Sequence, residues 1–124
     1  MTLTPRTLLA QAILAGLLAC SSPRDPALDA VEKAVRAQLG ATAVVNVGYL
    51  RDSTGLLIDF RAEALTDTSD ATFARTARAV ATTAVQQYTK RAALEVVMVS
   101  AGEVLGRGVY RALRQRTFTA AELR

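Results

Sequence analysis

Phe73, Ala77, Val80, Ala81, Ala84, Val85 and Tyr88 recur at spacings of three and four. That is the period of one face of an α-helix. The spacing predicts a helix over about residues 71–91, after a polar break at 66–70 rich in N-cap candidates. Arg75, Arg78, Thr82 and Gln86 fall on the opposite side. Such a helix cannot bury its stripe alone. The many alanines select a partner that comes close, and a sheet is the natural one.

Sheet-forming segments lie on both sides of it. In residues 43–50, Val45, Val47 and Tyr49 share one face. In residues 56–64, Leu56, Ile58, Phe60 and Ala62 share one face, and Asp59, Arg61 and Glu63 the other. This period of two belongs to strands with one solvated side. Asp52-Ser53-Thr54-Gly55 supplies turn chemistry between them, so a hairpin is expected. Residues 93–100 are apolar on both faces except at Glu95, which marks a central strand. Gly102 is read as a turn, and residues 104–114 as the returning fourth strand, with Gly106 and Gly108 weakening its start.

Two shorter helices complete the pattern. Asp25-Pro26 offers an N-cap acid and a first-turn proline. Leu28, Val31, Val35 and Leu39 follow at helical spacing, and Gly40 ends the run. Thr119-Ala-Ala-Glu122 has the form of a capping box for a short terminal helix. The order is α-ββ-α-ββ. The expected fold is α+β, a four-stranded, mostly antiparallel sheet with both main helices on one face.

The first twenty residues follow a different logic. Arg6 is the only charge before Cys20, and the apolar body from Leu8 to Leu18 is broken only by Gln11 and Gly16. That length suits a secretory h-region and falls short of the roughly 20 apolar residues of a membrane span. It ends in Leu17-Leu18-Ala19-Cys20, then Ser21-Ser22-Pro23. The arrangement resembles the lipobox of bacterial lipoprotein precursors. The resemblance implies that residues 1–19 are a signal peptide, and that Cys20 becomes a thioether to diacylglycerol and the new N-terminus. Ser21, where an aspartate often signals inner-membrane retention in such lipoproteins, points to the outer membrane facing the periplasm in an organism with two membranes. Three other readings of the segment stand beside this one: an ordinary secretory signal, an uncleaved anchoring helix, and a buried core helix with a free thiol.

The expected organisation is therefore a signal peptide at 1–19, a lipidated cysteine and tether at 20–25, and one α+β domain at 26–124. Five tether residues span less than about 18 Å, which keeps the domain close to the membrane. Without residues 1–19 the chain carries 14 basic and 11 acidic side chains, a mildly basic balance that argues against nucleic acid as a partner. The chain has no histidine or tryptophan, and Cys20 is its only cysteine. Lipidation of that thiol leaves none for a disulfide, metal or nucleophile, and no cofactor is expected.

Acid–base candidates are Asp52, Asp59, Glu63, Glu95 and Glu103. Asp59, Arg61 and Glu63 read as a solvated charge ladder. Glu95, among apolar neighbours, reads as a partly buried acid paired with Arg107 or Arg111. No GxSxG elbow or glycine-rich phosphate loop is present. Arg107, Arg111, Arg114 and Arg116 give the last strand a basic bias. That bias suits either binding to anionic lipid or an acidic partner, or protection of an edge strand. The expected function is non-catalytic: a membrane-anchored envelope lipoprotein that binds or helps assemble another envelope component. A small-ligand or lipid-binding periplasmic module is the alternative, and it needs a cavity lined by Phe60, Phe73, Tyr88 and Met98. An Asp/Glu–Arg enzyme is the second alternative.

Overall fold

The computed structural model describes residues 25–124. The expected signal peptide at 1–19, Cys20 and the expected tether before Asp25 lie outside the described residues.

Helix α1 spans Pro26–Leu39. The Asp25 carboxylate accepts the Ala27 N–H at 2.9 Å, and Pro26 occupies the first turn, so both start signals act as read. Strand β1 (Val45–Tyr49) and strand β2 (Gly55–Arg61) form the expected hairpin. Helix α2 spans Asp70–Gln87, and the Ser69 hydroxyl caps it by accepting the Thr72 N–H. Strand β3 (Val96–Leu105) and strand β4 (Val109–Thr119) form a second hairpin. Helix α3 (Ala120–Leu123) closes the chain behind the capping box of Thr119 and Glu122.

The sheet order is β1-β2-β3-β4. Both hairpins are antiparallel, whereas β2 and β3 run parallel. The parallel pair follows from the connection, because a crossover through α2 returns the chain in the same direction. Val45, Val47, Leu56, Ile58, Phe60, Val97, Val99 and Phe118 point to the helices and are buried. From α1 and α2, Val31, Val35, Phe73, Ala77, Val80, Ala81 and Ala84 meet them. The alanine stripe of α2 is at most 1% exposed, the close approach that its small side chains predicted.

Several boundaries differ from the sequence reading. Residues 62–64 leave the sheet as a single 3₁₀ turn. Helix α2 stops at Gln87, and Tyr88 turns inward as its C-cap, fully buried, donating to the Ser53 carbonyl at 2.8 Å. The second hairpin turns at Gly106–Gly108 rather than at Gly102. Gly108 at φ +76° supplies the left-handed backbone of that turn. Gly102 lies inside β3, where a Cβ would sit 2.3 Å from the Arg111 carbonyl oxygen. The glycine marks a close passage of strands, not a reversal. A register shift between Ala101 and Gly102 leaves Leu113 as the extra residue of a bulge in β4.

Candidate interaction surface

Tyr49, Gly55, Val96 and Thr119 share one end of the sheet through their pairings. Asp25 lies at that end, because the Tyr49 hydroxyl donates to its carboxylate and Lys90 Nζ stands 3.5 Å away. The β3–β4 turn is at the other end. Nine residue steps along β3 at about 3.3 Å each place it roughly 30 Å from the Asp25 end.

Near this turn the helix layer no longer covers the second hairpin. Leu105 is 42% exposed, Val109 57% and Leu113 48%, with Val104 and Tyr110 also open to solvent. An apolar cluster of this kind on a small domain is a mark of an interaction site.

The four arginines predicted as a binding strip divide. Arg107 sits at the turn with φ +68° and has no polar partner among the described residues. A side chain there costs on the order of 1 kcal/mol relative to right-handed backbone, so a strained residue holds an uncompensated guanidinium at the tip. Arg111 pairs with Glu103 across the hairpin. Arg114 and Arg116 both turn to Asp70 at the start of α2, at 3.2 and 3.7 Å, and Arg114 Nε also donates to the Thr68 carbonyl. These pairs are exposed and each contributes little to stability. The structure thus brings Arg114 and Arg116 together, sets Arg111 nearer the tip, and leaves Arg107 alone.

The face of the sheet away from the helices carries a polar chain that the sequence reading did not find. The Ser100 hydroxyl donates to Asp59 at 2.5 Å, and 2.7 Å separates it from the Tyr110 hydroxyl. With its one proton given to Asp59, Ser100 accepts from Tyr110. Burial, then the nearby Asp59 charge, pushes the Tyr110 phenol up, so it stays protonated and donating. Ser100 is 3% exposed. Asp59 and Ser100 face each other only because β2 pairs with β3 in parallel, a register that spacing within either segment does not carry. Asp59 is therefore half-buried and bonded rather than part of a free charge ladder. Arg61 and Glu63 are 4.0 Å apart, and buried Arg61 Nε has no hydrogen-bond partner.

Two further expectations change. Glu95 is exposed, precedes β3, and pairs with neither Arg107 nor Arg111; its carbonyl accepts the Ala120 N–H at 2.8 Å. Its apolar neighbours belong to a strand that begins one residue later. Phe60, Phe73 and Tyr88 are at most 1% exposed and pack in the core, with the two phenylalanine rings 6.5 Å apart, instead of lining a cavity between the helices and the sheet. Met98 points to the other face of the sheet.

The depressions are on the surface. One of about 510 Å³ is lined by Val85, Gln86, Arg91, Ala92, Leu123 and Arg124. Another, of about 120 Å³, lies under the second hairpin among Asn46, Asp59, Arg61, Val104, Gly108 and Tyr110. Among the described residues no helix is long and apolar enough to cross a membrane, and no group of three or more His, Cys, Asp or Glu side chains is placed to hold a metal ion. No known protein family, curated protein or solved structure matches the chain.

Proposed function

We propose that the protein is a lipid-anchored component of a bacterial cell envelope, held by Cys20, that acts without catalysis by binding another envelope component through its second hairpin. The observation that carries the reading is the placement of the exposed Leu105, Val109 and Leu113 beside Arg107, at the end of the sheet opposite Asp25. A tether of about 18 Å at most, joined at Asp25, holds that end of the domain to the bilayer. The apolar and basic tip is then presented away from the lipid. This favours a partner in the periplasm over the membrane surface to which the protein is attached.

The test compares Cys20→Ser with a tip variant, Leu105→Ser with Val109→Ser, in the native host. Cys20→Ser moves the protein from the detergent phase to the aqueous phase and abolishes fatty-acid labelling. The tip variant stays in the detergent phase but loses the partner crosslinked to the wild-type protein. Unchanged partitioning of Cys20→Ser removes the anchor, and unchanged crosslinking of the tip variant removes the hairpin as the contact.

A second reading, a small-ligand module, rests on Arg61. Arg61 lines the 120 Å³ depression and its buried Nε has no hydrogen-bond partner; a carboxylate accepting from Nε and Nη would satisfy it. Melting in the presence of acetate, lactate and succinate tests this, since a ligand of the folded state raises the transition. No rise with any of them counts against it.

A further inference from the structure

We propose that the outer edge of β4 accepts an acidic, extended segment of a partner protein as a fifth strand of the sheet. This deepens the reading of the second hairpin as the contact surface and rests on it.

The two edges of the sheet are unlike. β1 is five residues long, and β4 is eleven. All of β4 is exposed except Arg114, which is half-buried, and Phe118. The direction of its backbone groups follows from one bond. Ala120 donates its N–H to the Glu95 carbonyl, so that position faces β3. Backbone groups alternate along an antiparallel strand. Phe118, Arg116 and Arg114 therefore also face β3, while Thr119, Thr117 and Gln115 face outward. The Thr119 N–H is already taken by the Glu122 carboxylate at 2.7 Å. The capping box of α3 thus closes one end of the edge, and Thr117 and Gln115 remain open for main-chain pairing.

Charge selects the occupant. The stretch from Glu103 to Arg116 holds four arginines and one acid, whereas the rest of the described chain is nearly balanced, with nine bases and ten acids. A second copy of β4 laid against the first would set arginines beside arginines, and like charges across a strand pair are destabilising. An acidic strand meets the opposite situation. Its carboxylates on the helix side of the sheet come beside Arg116 and Arg114, which now share the single carboxylate of Asp70. Asp70 thereby acts as a placeholder that an incoming acid displaces. Main-chain bonds supply affinity and the flanking side chains supply selectivity, as in other cases of strand addition.

The test uses the full chain in neutral detergent micelles and a labelled octapeptide alternating valine and glutamate, with a valine–lysine octapeptide as control. At low salt the acidic peptide binds at least tenfold more tightly than the basic one and slows hydrogen exchange at the Gln115 and Thr117 amides. Thr117→Pro removes an outward N–H without touching the β3 pairing and weakens binding at least tenfold with the melting transition in place. Asp70→Asn, which leaves β4 intact, tightens binding severalfold by freeing both arginines. Equal binding of the two peptides, or exchange at Gln115 and Thr117 that does not slow, overturns the proposal. Displacement of the peptide by phosphatidylglycerol added to the micelles assigns the surface to lipid instead and also overturns it. None of these readouts depends on whether Cys20 is acylated, so failure here is separable from failure of the anchor.

Discussion

The ring of Tyr110 lies directly over Gly102: a Cβ at 102 would stand 2.6 Å from the phenol's Cζ and hydroxyl. This contact is what allows the second hairpin to fold its tyrosine back onto Ser100 and Asp59. Gly102→Ala forces the ring or the Arg111 backbone to move, and overpacking of this kind costs about 1–3 kcal/mol. The expected result is a lower denaturation midpoint, with loss of protection at Ser100. A Gly102→Ala protein that melts like the wild type would mean that the ring is free to swing away.

Val97 is fully buried in β3, between the helices and the rest of the sheet. Val97→Asp sets an unpaired carboxylate there and is expected to abolish cooperative folding. Ile58→Ala, one strand away and equally buried, leaves a cavity and costs about 2–5 kcal/mol. Urea unfolding followed by circular dichroism measures both. A stable Val97→Asp protein would contradict the central position of β3.

Stability should fall at both extremes of pH, for different groups. The Tyr49 hydroxyl, then the Ala27 N–H, holds the Asp25 carboxyl below the ordinary carboxylate value, and Ser69 and Thr72 do the same for Asp67. A lowered folded-state value means that the charged form is the one stabilised. The contribution is therefore present above about pH 4 and is lost as pH falls through the folded-state values. Tyr88 is the reverse case. Burial, followed by its contact with Tyr49, pushes its phenol up to about 12, so its contribution is present below about pH 10 and disappears as pH rises to about 12. In melting curves against pH, Tyr49→Phe flattens the acid limb and Tyr88→Phe the alkaline limb. Limbs unchanged by both variants would place the responsible groups elsewhere.

The elements whose signals are local were legible in the sequence. Asp25-Pro26, the stripe of α2, the Asp52–Gly55 turn and the Thr119–Glu122 box each specify their structure within a few residues. What escaped depends on partners distant in sequence. Gly102 looks like a turn residue until β4 is seen to pass within contact of it. Asp59 looks like a surface charge until parallel pairing sets it opposite Ser100. The arginines of β4 look equivalent by spacing, yet Asp70 holds two of them, Glu103 holds one, and Arg107 stands alone at a strained turn.

The central claim is that Cys20 is the lipid-bearing N-terminus of the mature protein. Its most direct test is the intact mass, with fragmentation, of the protein purified from membranes of a bacterial host that processes lipoproteins. The account predicts a chain beginning at Cys20 whose mass exceeds that of residues 20–124 by a diacylglyceryl group, with or without an added acyl chain on the amine. A chain that keeps residues 1–19, or one that begins at another residue and carries no lipid, would contradict it.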